Sequence, residues 1–437
     1  MRAISRDGCG VLQLSVNSGR RWMALWTAGA LAASALVMVG AGAGPAEAAD
    51  YSCAGKPSTL TGTPQSDDLV GKSGRINVIQ ARGAGDIATG RDRADLVCGG
   101  KGADRLAGGG DADLVLGQSG ADIMEGGTGD DVLIGQDGVD QANGGDGDDV
   151  CSAEVTDSLT CEQHAVAVSS FEQAIAAGEG ATVVFMPGDY TGEYVQPGRS
   201  EAGTRTEWYA SPGTRLLGEL TSGQGSVLNG FEVYGGRVGV RCKPGAVCEN
   251  LDVHHHSQAG VQIGGGSVDL TDSYVHENNL DLDPDPLHND NPCFNSGGVH
   301  MVVGNNVTLT GNRLDNNGCD GVHSDTGMRY VTYEGNVATD NTRFGIFIEV
   351  SCDQTVTGNR IQRNGKDGVF IANSPRVVLT ENTFGSNGGY AIRWKDYPNR
   401  SYKPSTADCD PKDKTGGSES GNTLNGETVT NAPTPTP

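Results

Sequence analysis

The stretch Gly99-Gly100-Lys101-Gly102-Ala103-Asp104-Arg105-Leu106-Ala107, followed at once by Gly108-Gly109-Gly110-Asp111-Ala112-Asp113-Leu114-Val115-Leu116, decides the reading of this chain. Gly, Asp and a large apolar residue recur at the same offsets in both nonapeptides. Followed outward, the step of nine persists, with acidic or amide residues at Asp68, Asn77, Asp86, Asp95, Asp104, Asp113, Asp122, Asp131, Asp140 and Asp149. Glycines keep the same step at Gly90, Gly99, Gly108, Gly117, Gly126, Gly135 and Gly144, and apolar residues fall two places after the acid at Val97, Leu106, Val115, Met124 and Leu133. Each unit reads as a Gly-rich turn that permits positive φ, then a very short strand whose single large apolar residue fills a thin core.

Charge indicates what such a coil requires. Between residues 94 and 151 there are thirteen acids and two bases, a local charge of −11. Coils stacked that densely in carboxylate need cations between their turns, and oxygen ligands of this kind suit calcium. The metal ligands expected on this pattern are Asp95, Asp104, Asp113, Asp122, Asp131, Asp140 and Asp149, together holding several Ca2+ ions along the roll. The whole chain of 437 residues contains 68 Gly and carries −24, which argues against a nucleic-acid partner held through its phosphates.

The repeat resembles the RTX (haemolysin-type) family, G-G-x-G-x-D-x-U-x, best from Gly99 to Asp149. That resemblance implies a calcium-bound parallel β-roll. Upstream, from Gly62 to Gly90, the glycines decay, and those units are expected to bind calcium weakly or to cap the roll.

After Cys161 a longer period begins. The segments at Phe231, Leu251, Ser273, Asn312, Asn336, Asn359 and Asn382 align at steps of 20, 22, 39, 24, 23 and 23, and a second asparagine follows the later ones at Asn317, Asn341, Asn364 and Asn387. Rungs of that length with alternating apolar positions and Asn at the corners indicate a right-handed parallel β-helix, with the asparagines structural. A short helix is expected over 169–177, and Ala181 to Tyr190 resembles the first coil of pectate-lyase-like proteins. The fold class is thus all-β: an N-terminal RTX parallel β-roll followed by a right-handed parallel β-helix.

The flanks fit an exported protein. Arg2, Arg6, Arg20 and Arg21 precede an apolar run from Trp22 to about Gly40, followed by Pro45 and Ala46-Glu47-Ala48, the pattern of a cleaved signal peptide. The Sec and twin-arginine routes both stay open, and no membrane association is expected after cleavage. Ten cysteines remain beyond Cys9, and the expected bridges are Cys151–Cys161, Cys242–Cys248 and Cys293–Cys319. The domains read as 1–49 signal peptide, 50–161 roll, 162–396 β-helix, and 397–437 a Pro/Thr/Gly-rich, mostly disordered tail.

Chemistry on a β-helix belongs to the outward positions of a sheet, because inward side chains are used by the core. One outward column runs Gln262, His300, His323, Phe347, Phe370, Arg393, and another Asp325, Glu349, Ala372, Lys395. Coil spacing of about 4.8 Å puts Asp325 and Glu349 roughly 5 Å apart with His323 beside them. The candidate catalytic residues are His323, Asp325, Glu349 and Lys395. The candidate substrate contacts are His300, Phe347, Phe370 and Arg393, the two phenylalanines being read as an open stacking platform. The loop 277–296, with Asp281, Asp283, Asp285, His288 and Asp290, is long enough to wall the groove. His254-His255-His256 at an expected corner is a weaker candidate for metal.

Three reactions suit such a groove on an acidic polysaccharide: β-elimination, with one cation at the groove neutralising a uronate; C5 epimerisation; and hydrolysis by paired carboxylates. A β-helix with RTX repeats resembles mannuronan C5-epimerases, but the closest string here to their Asp-Pro-His-Glu is Asp283-Pro284-Asp285-Pro286-Leu287-His288, and the domain order is reversed. No pectate-lyase catalytic motif is recognisable either, so elimination is the leading expectation on the fold resemblance together with the acidic and basic columns. A calcium-dependent, non-catalytic carbohydrate-binding, matrix or adhesion protein is its rival.

Overall fold

The computed structural model describes residues 52–397 other than 55, 154, 157–160, 162, 201–202, 212, 281–292 and 294, together with 415–424 and 427–428. The expected signal segment, the acids and histidine of the 281–290 loop, and Cys409 lie outside the described residues. Among those described, no helix is long and apolar enough to cross a membrane.

Two nonapeptides make one coil of the roll. Strands Arg105–Gly110, Ile123–Thr128 and Gln141–Asp146 pair in parallel, with Arg105 opposite Ile123 and Ile123 opposite Gln141, a step of 18 residues. Alternate units therefore build two facing parallel sheets, of six and seven strands. Val97, Leu106, Val115, Met124 and Leu133 fill the space between them. The outer faces differ. In one sheet the residue after the acid is Val78, Leu96, Leu114, Val132 or Val150; in the other it is Ile87, Arg105, Ile123 or Gln141. The first set packs against Ala167, Val184, Met186 and Tyr209 at the start of the β-helix, whereas Ile87 is half exposed. A nine-residue reading averages over this 18-residue alternation. It is the docking face of the roll, and the Cys53–Cys98 disulfide lies within the same apolar cluster.

The helix Phe171–Ala177, N-capped by the Ser170 hydroxyl accepting from Gln173 N–H, closes the first coil. Phe171 lies 4.6 Å from Phe185, 5.6 Å from Trp208 and stacked on Tyr194 at 4.0 Å, so an aromatic plug seals the end of the core. Each later coil carries up to three strands, as in Ala259–Gly265, Val268–Thr271 and Tyr274–His276. Inward Val, Ile and Leu side chains, among them Val261, Val299, Val322, Ile346, Val369 and Ile392, form one continuous core.

Two asparagine ladders pin the corners. Asn312, Asn336, Asn359, Asn382 and Asn422 form one; Asn278, Asn317, Asn341, Asn364 and Asn387 form the other. Each Asn Nδ2 but the last of its ladder donates to the next Oδ1 at 2.9–3.0 Å and also to a backbone carbonyl. The tail contributes more than expected: Gly417–Ser420 and Thr423–Leu424 pair with the preceding coil, and Asn422 extends the ladder. All three expected bridges are formed, and Cys352 is also disulfide-bonded.

Candidate functional site

The repeated acids of the roll line its two edges, each in the same bonding pattern. From Asp104 through Asp149, each Oδ1 accepts the backbone N–H of the Asp 18 residues earlier, at 2.6–2.9 Å, and Asp95 Oδ1 accepts that of Asn77 at 2.5 Å. At the top the register slips, and Asp67 rather than Asp68 joins, since its N–H donates to Asp86 Oδ1. The second oxygen is the informative one. Oδ2 of Asp86, Asp95, Asp104, Asp113, Asp122 and Asp131 is buried without a hydrogen bond. Burial first, and neighbouring carboxylates second, push these groups up, to about 6 for Asp104, about 8 for Asp113 and about 7 for Asp131.

Asn77 identifies what those oxygens lack. It occupies an Asp position on the same edge, and its Nδ2 donates to the carbonyls of Arg75 at 3.0 Å, Gly90 at 3.2 Å and Lys72 at 3.3 Å, and to Asp95 Oδ1 at 3.0 Å. One coil on, the repeat brings the same acceptors around an Asp, which has no hydrogen to give. Only oxygens then converge, the donor set of a hard cation. Glycine keeps the space open: a Cβ at Gly99 would collide with the Asp104 carboxylate and lie 2.8 Å from the Gly117 carbonyl. The residues present therefore fit calcium.

The second site lies on the sheet of strands Gly297–Thr310, Val322–Glu334, Ile346–Glu349, Val369–Ala372 and Ile392–Lys395. Register runs His300, His323, Phe347, Phe370, Arg393 across successive coils, and Glu349, Ala372, Lys395 beside it. Ligand atoms of His323, Asp325 and Glu349 lie within 4.8 Å of one another. His323 Nε2 is 3.5 Å from Glu349 Oε2, and its Nδ1 is 4.0 Å from Asp320 Oδ2. His300 Nε2 approaches Asp325 Oδ2 at 3.7 Å, while Asp325 Oδ1 accepts from Thr326 N–H and O–H at 2.7 and 2.8 Å.

These contacts set the protonation. Burial would raise the Asp325 carboxyl, but His300, His323 and Thr326 together hold it well below the usual range. Burial pushes His300 down and Asp320 up, the latter opposed by Arg343 at 3.5 Å. Neither ring nitrogen of His300 or His323 makes a hydrogen bond to the described residues, nor does Asp320 Oδ2. Asp325 is thus a fixed carboxylate beside imidazoles that have nitrogens to spare.

Three expectations change here. His300 is fully buried behind Asp325, so it positions that carboxylate rather than touching a substrate. Phe347 and Phe370 are 6% and 7% exposed, covered by Phe344 and Tyr397, so no open stacking platform exists. An apolar column on an outward face gains by being covered, and the Phe344 corner supplies that cover. Lys395 stands two coils beyond Glu349 with its ammonium 4.6 Å from the centre of the Tyr397 ring, outside the His323 cluster, and Arg393 pairs with Asp367 at 2.8 Å. Asp320 was missed, although Asp320-Gly321-Val322 and Asp367-Gly368-Val369 repeat one pattern in the sequence.

Comparison with known proteins agrees with the two repeats. Residues 220–384 match the family model described as a right-handed β-helix region, and residues 82–115, 89–124 and 116–151 match that of the RTX calcium-binding nonapeptide repeat. The repeats imply calcium binding. No curated protein matches the chain by sequence. Similar solved structures include pectate lyase Pel9A, at 19% identity over 52% of this chain and 65% of that one, with a TM-score of 0.40. The periplasmic alginate epimerase AlgG is 10% identical over 72% and 77%, with a TM-score of 0.35. The A-module of the Azotobacter vinelandii mannuronan C-5 epimerase AlgE4 is 13% identical over 86% and 88%, with a TM-score of 0.32. This chain spans slightly less than two thirds of the length of the pectate lyase.

Proposed function

We propose that this is an exported, calcium-loaded protein whose β-helix binds an acidic polysaccharide and cleaves it by β-elimination. The observation that carries the reading is the convergence of His323, Asp325 and Glu349 within 4.8 Å on one sheet. Asp325 and Glu349 would hold a divalent cation, which when bound neutralises the carboxylate of a uronate and makes its C5 proton more acidic. His323, with Asp320 behind it, takes that proton. The C5–H electron pair becomes the C4–C5 double bond, the C4–O bond breaks, and the departing oxygen takes a proton from water. Lys395 offers positive charge to carboxylates further along the polymer, while His300 positions Asp325. Several calcium ions in the roll, bound through Asp95, Asp104, Asp113, Asp122, Asp131, Asp140 and Asp149, keep that domain folded, and residues 1–49 direct export.

The purified protein should be incubated with a panel of polyuronates in calcium while the ultraviolet absorbance of the unsaturated product is followed. Rising absorbance that His323→Gln cuts at least 100-fold supports elimination. No absorbance with any polymer removes the lyase reading, and new reducing ends without it indicate hydrolysis. The burial of His323, which is 5% exposed beside the covered Phe347 and Phe370, favours one rival, a rigid calcium-dependent binding protein without catalysis. Polymer retained on the protein without any product would establish that rival.

A further inference from the structure

A second cluster of titratable groups lies on another face of the same β-helix, away from the His323 site. Strands Glu232–Tyr234, Asp252–His254 and Tyr274–His276 occupy equivalent places in three successive coils, with His254 directly opposite His276 and Asp252 opposite Tyr274. The His254 and His276 rings stack 4.9 Å apart at 27°. Ligand atoms of Asp252, His254 and His276 lie within 4.8 Å of one another.

Carboxylates and imidazoles alternate through the cluster. His254 Nε2 faces Glu232 at 3.4 Å and its Nδ1 faces His255 Nδ1 at 2.6 Å. His255 Nε2 faces Glu277 at 3.5 Å, His276 Nδ1 faces Glu277 at 3.4 Å, and His276 Nε2 faces Asp252 at 2.9 Å. Three of these contacts are hydrogen bonds, which the three N–H groups of neutral imidazoles can supply. What marks the cluster is the convergence of two imidazoles and a carboxylate on one sheet face, while the neighbouring Glu232 is held by Arg215 at 2.8 Å.

We infer that Asp252, His254 and His276 form a binding site for one transition-metal ion of the zinc type. Imidazole ligands select such ions over calcium, which prefers oxygen. An ion about 2.0–2.1 Å from each nitrogen needs the rings only to tilt toward each other on an open sheet face. Glu277 then accepts the N–H of the ligating His276 ring, the outer contact that fixes the tautomer of a metal-bound histidine. Three protein ligands leave a fourth position to water. The site is independent of the proposed polysaccharide chemistry.

The test uses the full chain in excess calcium, so that the roll is saturated, and titrates Co2+ while visible absorbance is recorded. One Co2+ per chain is expected, displaced by Zn2+, with affinity reduced at least tenfold in His254→Gln and in His276→Gln but kept in His323→Gln. Asp252 is half exposed, so Asp252→Asn preserves the fold and should also weaken binding, which covers the case of a histidine variant that fails to fold. Absence of Co2+ binding, or binding unchanged in Asp252→Asn and in whichever histidine variants fold, overturns the assignment.

Discussion

The two solenoids solve one problem with different side chains. In both, a polar residue at each corner accepts the backbone N–H of its counterpart in the neighbouring coil, at 2.8 Å for Asp131 with Asp149 and 2.9 Å for Asn312 with Asn336. An asparagine also has two hydrogens, and the β-helix spends them on the next rung and on a carbonyl. An aspartate has none, so the roll leaves an oxygen buried in every rung from Asp86 to Asp131. The difference makes the β-helix self-sufficient and the roll conditional on a cation. Asn77 sharpens the point, since it is an amide at a roll position and its two hydrogens are shared among the oxygens that would otherwise face a carboxylate.

The largest expected effect comes from removing calcium. Scanning calorimetry in calcium should give a transition for the roll that collapses or moves down by tens of degrees in chelator, while that of the β-helix moves little. Equal shifts of both would erase the contrast. Next comes the converse change, Asn336→Asp, which places an aspartate in the self-sufficient ladder without cation-binding surroundings. An uncompensated buried carboxylate should cost about 3–5 kcal/mol, read as a lower denaturant midpoint for the β-helix. A loss below about 1 kcal/mol would mean that the amide hydrogens matter little.

A smaller effect follows from pH. In chelator, Asp113 and Asp131 titrate near 8 and 7 when folded, through burial, but at the ordinary carboxylate value when unfolded. The folded roll then binds more protons than the unfolded chain, so its stability is greatest below about pH 4 and falls as pH rises through 7 to 8. In calcium the sign reverses, because the ion and the protons compete for the same oxygens. Melting temperatures of the roll in chelator at pH 5 and pH 8 check this, and a higher value at pH 8 would contradict it.

Most of the fold was legible because both repeats are written in residue types with few alternatives. Asp with Gly at a step of nine and Asn at a step of about 23 each admit one backbone shape. The candidate site was legible only in part. Register brought His323, Asp325 and Glu349 together, since strand pairing transmits a column faithfully from coil to coil. Burial was not legible. Nothing local in Phe347 or Phe370 announces that Phe344 and Tyr397 will cover them, and His300 looks outward in sequence while lying behind Asp325. The docking face of the roll was present in Val78, Leu96, Leu114 and Val150, but only at twice the repeat that first catches the eye.

The most direct test converts one edge of the roll to the chemistry of Asn77. Asp95→Asn, Asp113→Asn and Asp131→Asn, combined in one chain, should supply each rung with the hydrogens that a cation otherwise replaces. The melting temperature of the roll in chelator is expected to rise above that of the unaltered protein, and the increment produced by calcium to shrink. A variant that melts lower in chelator than the unaltered protein would contradict the claim that the missing amide hydrogens are what the calcium supplants.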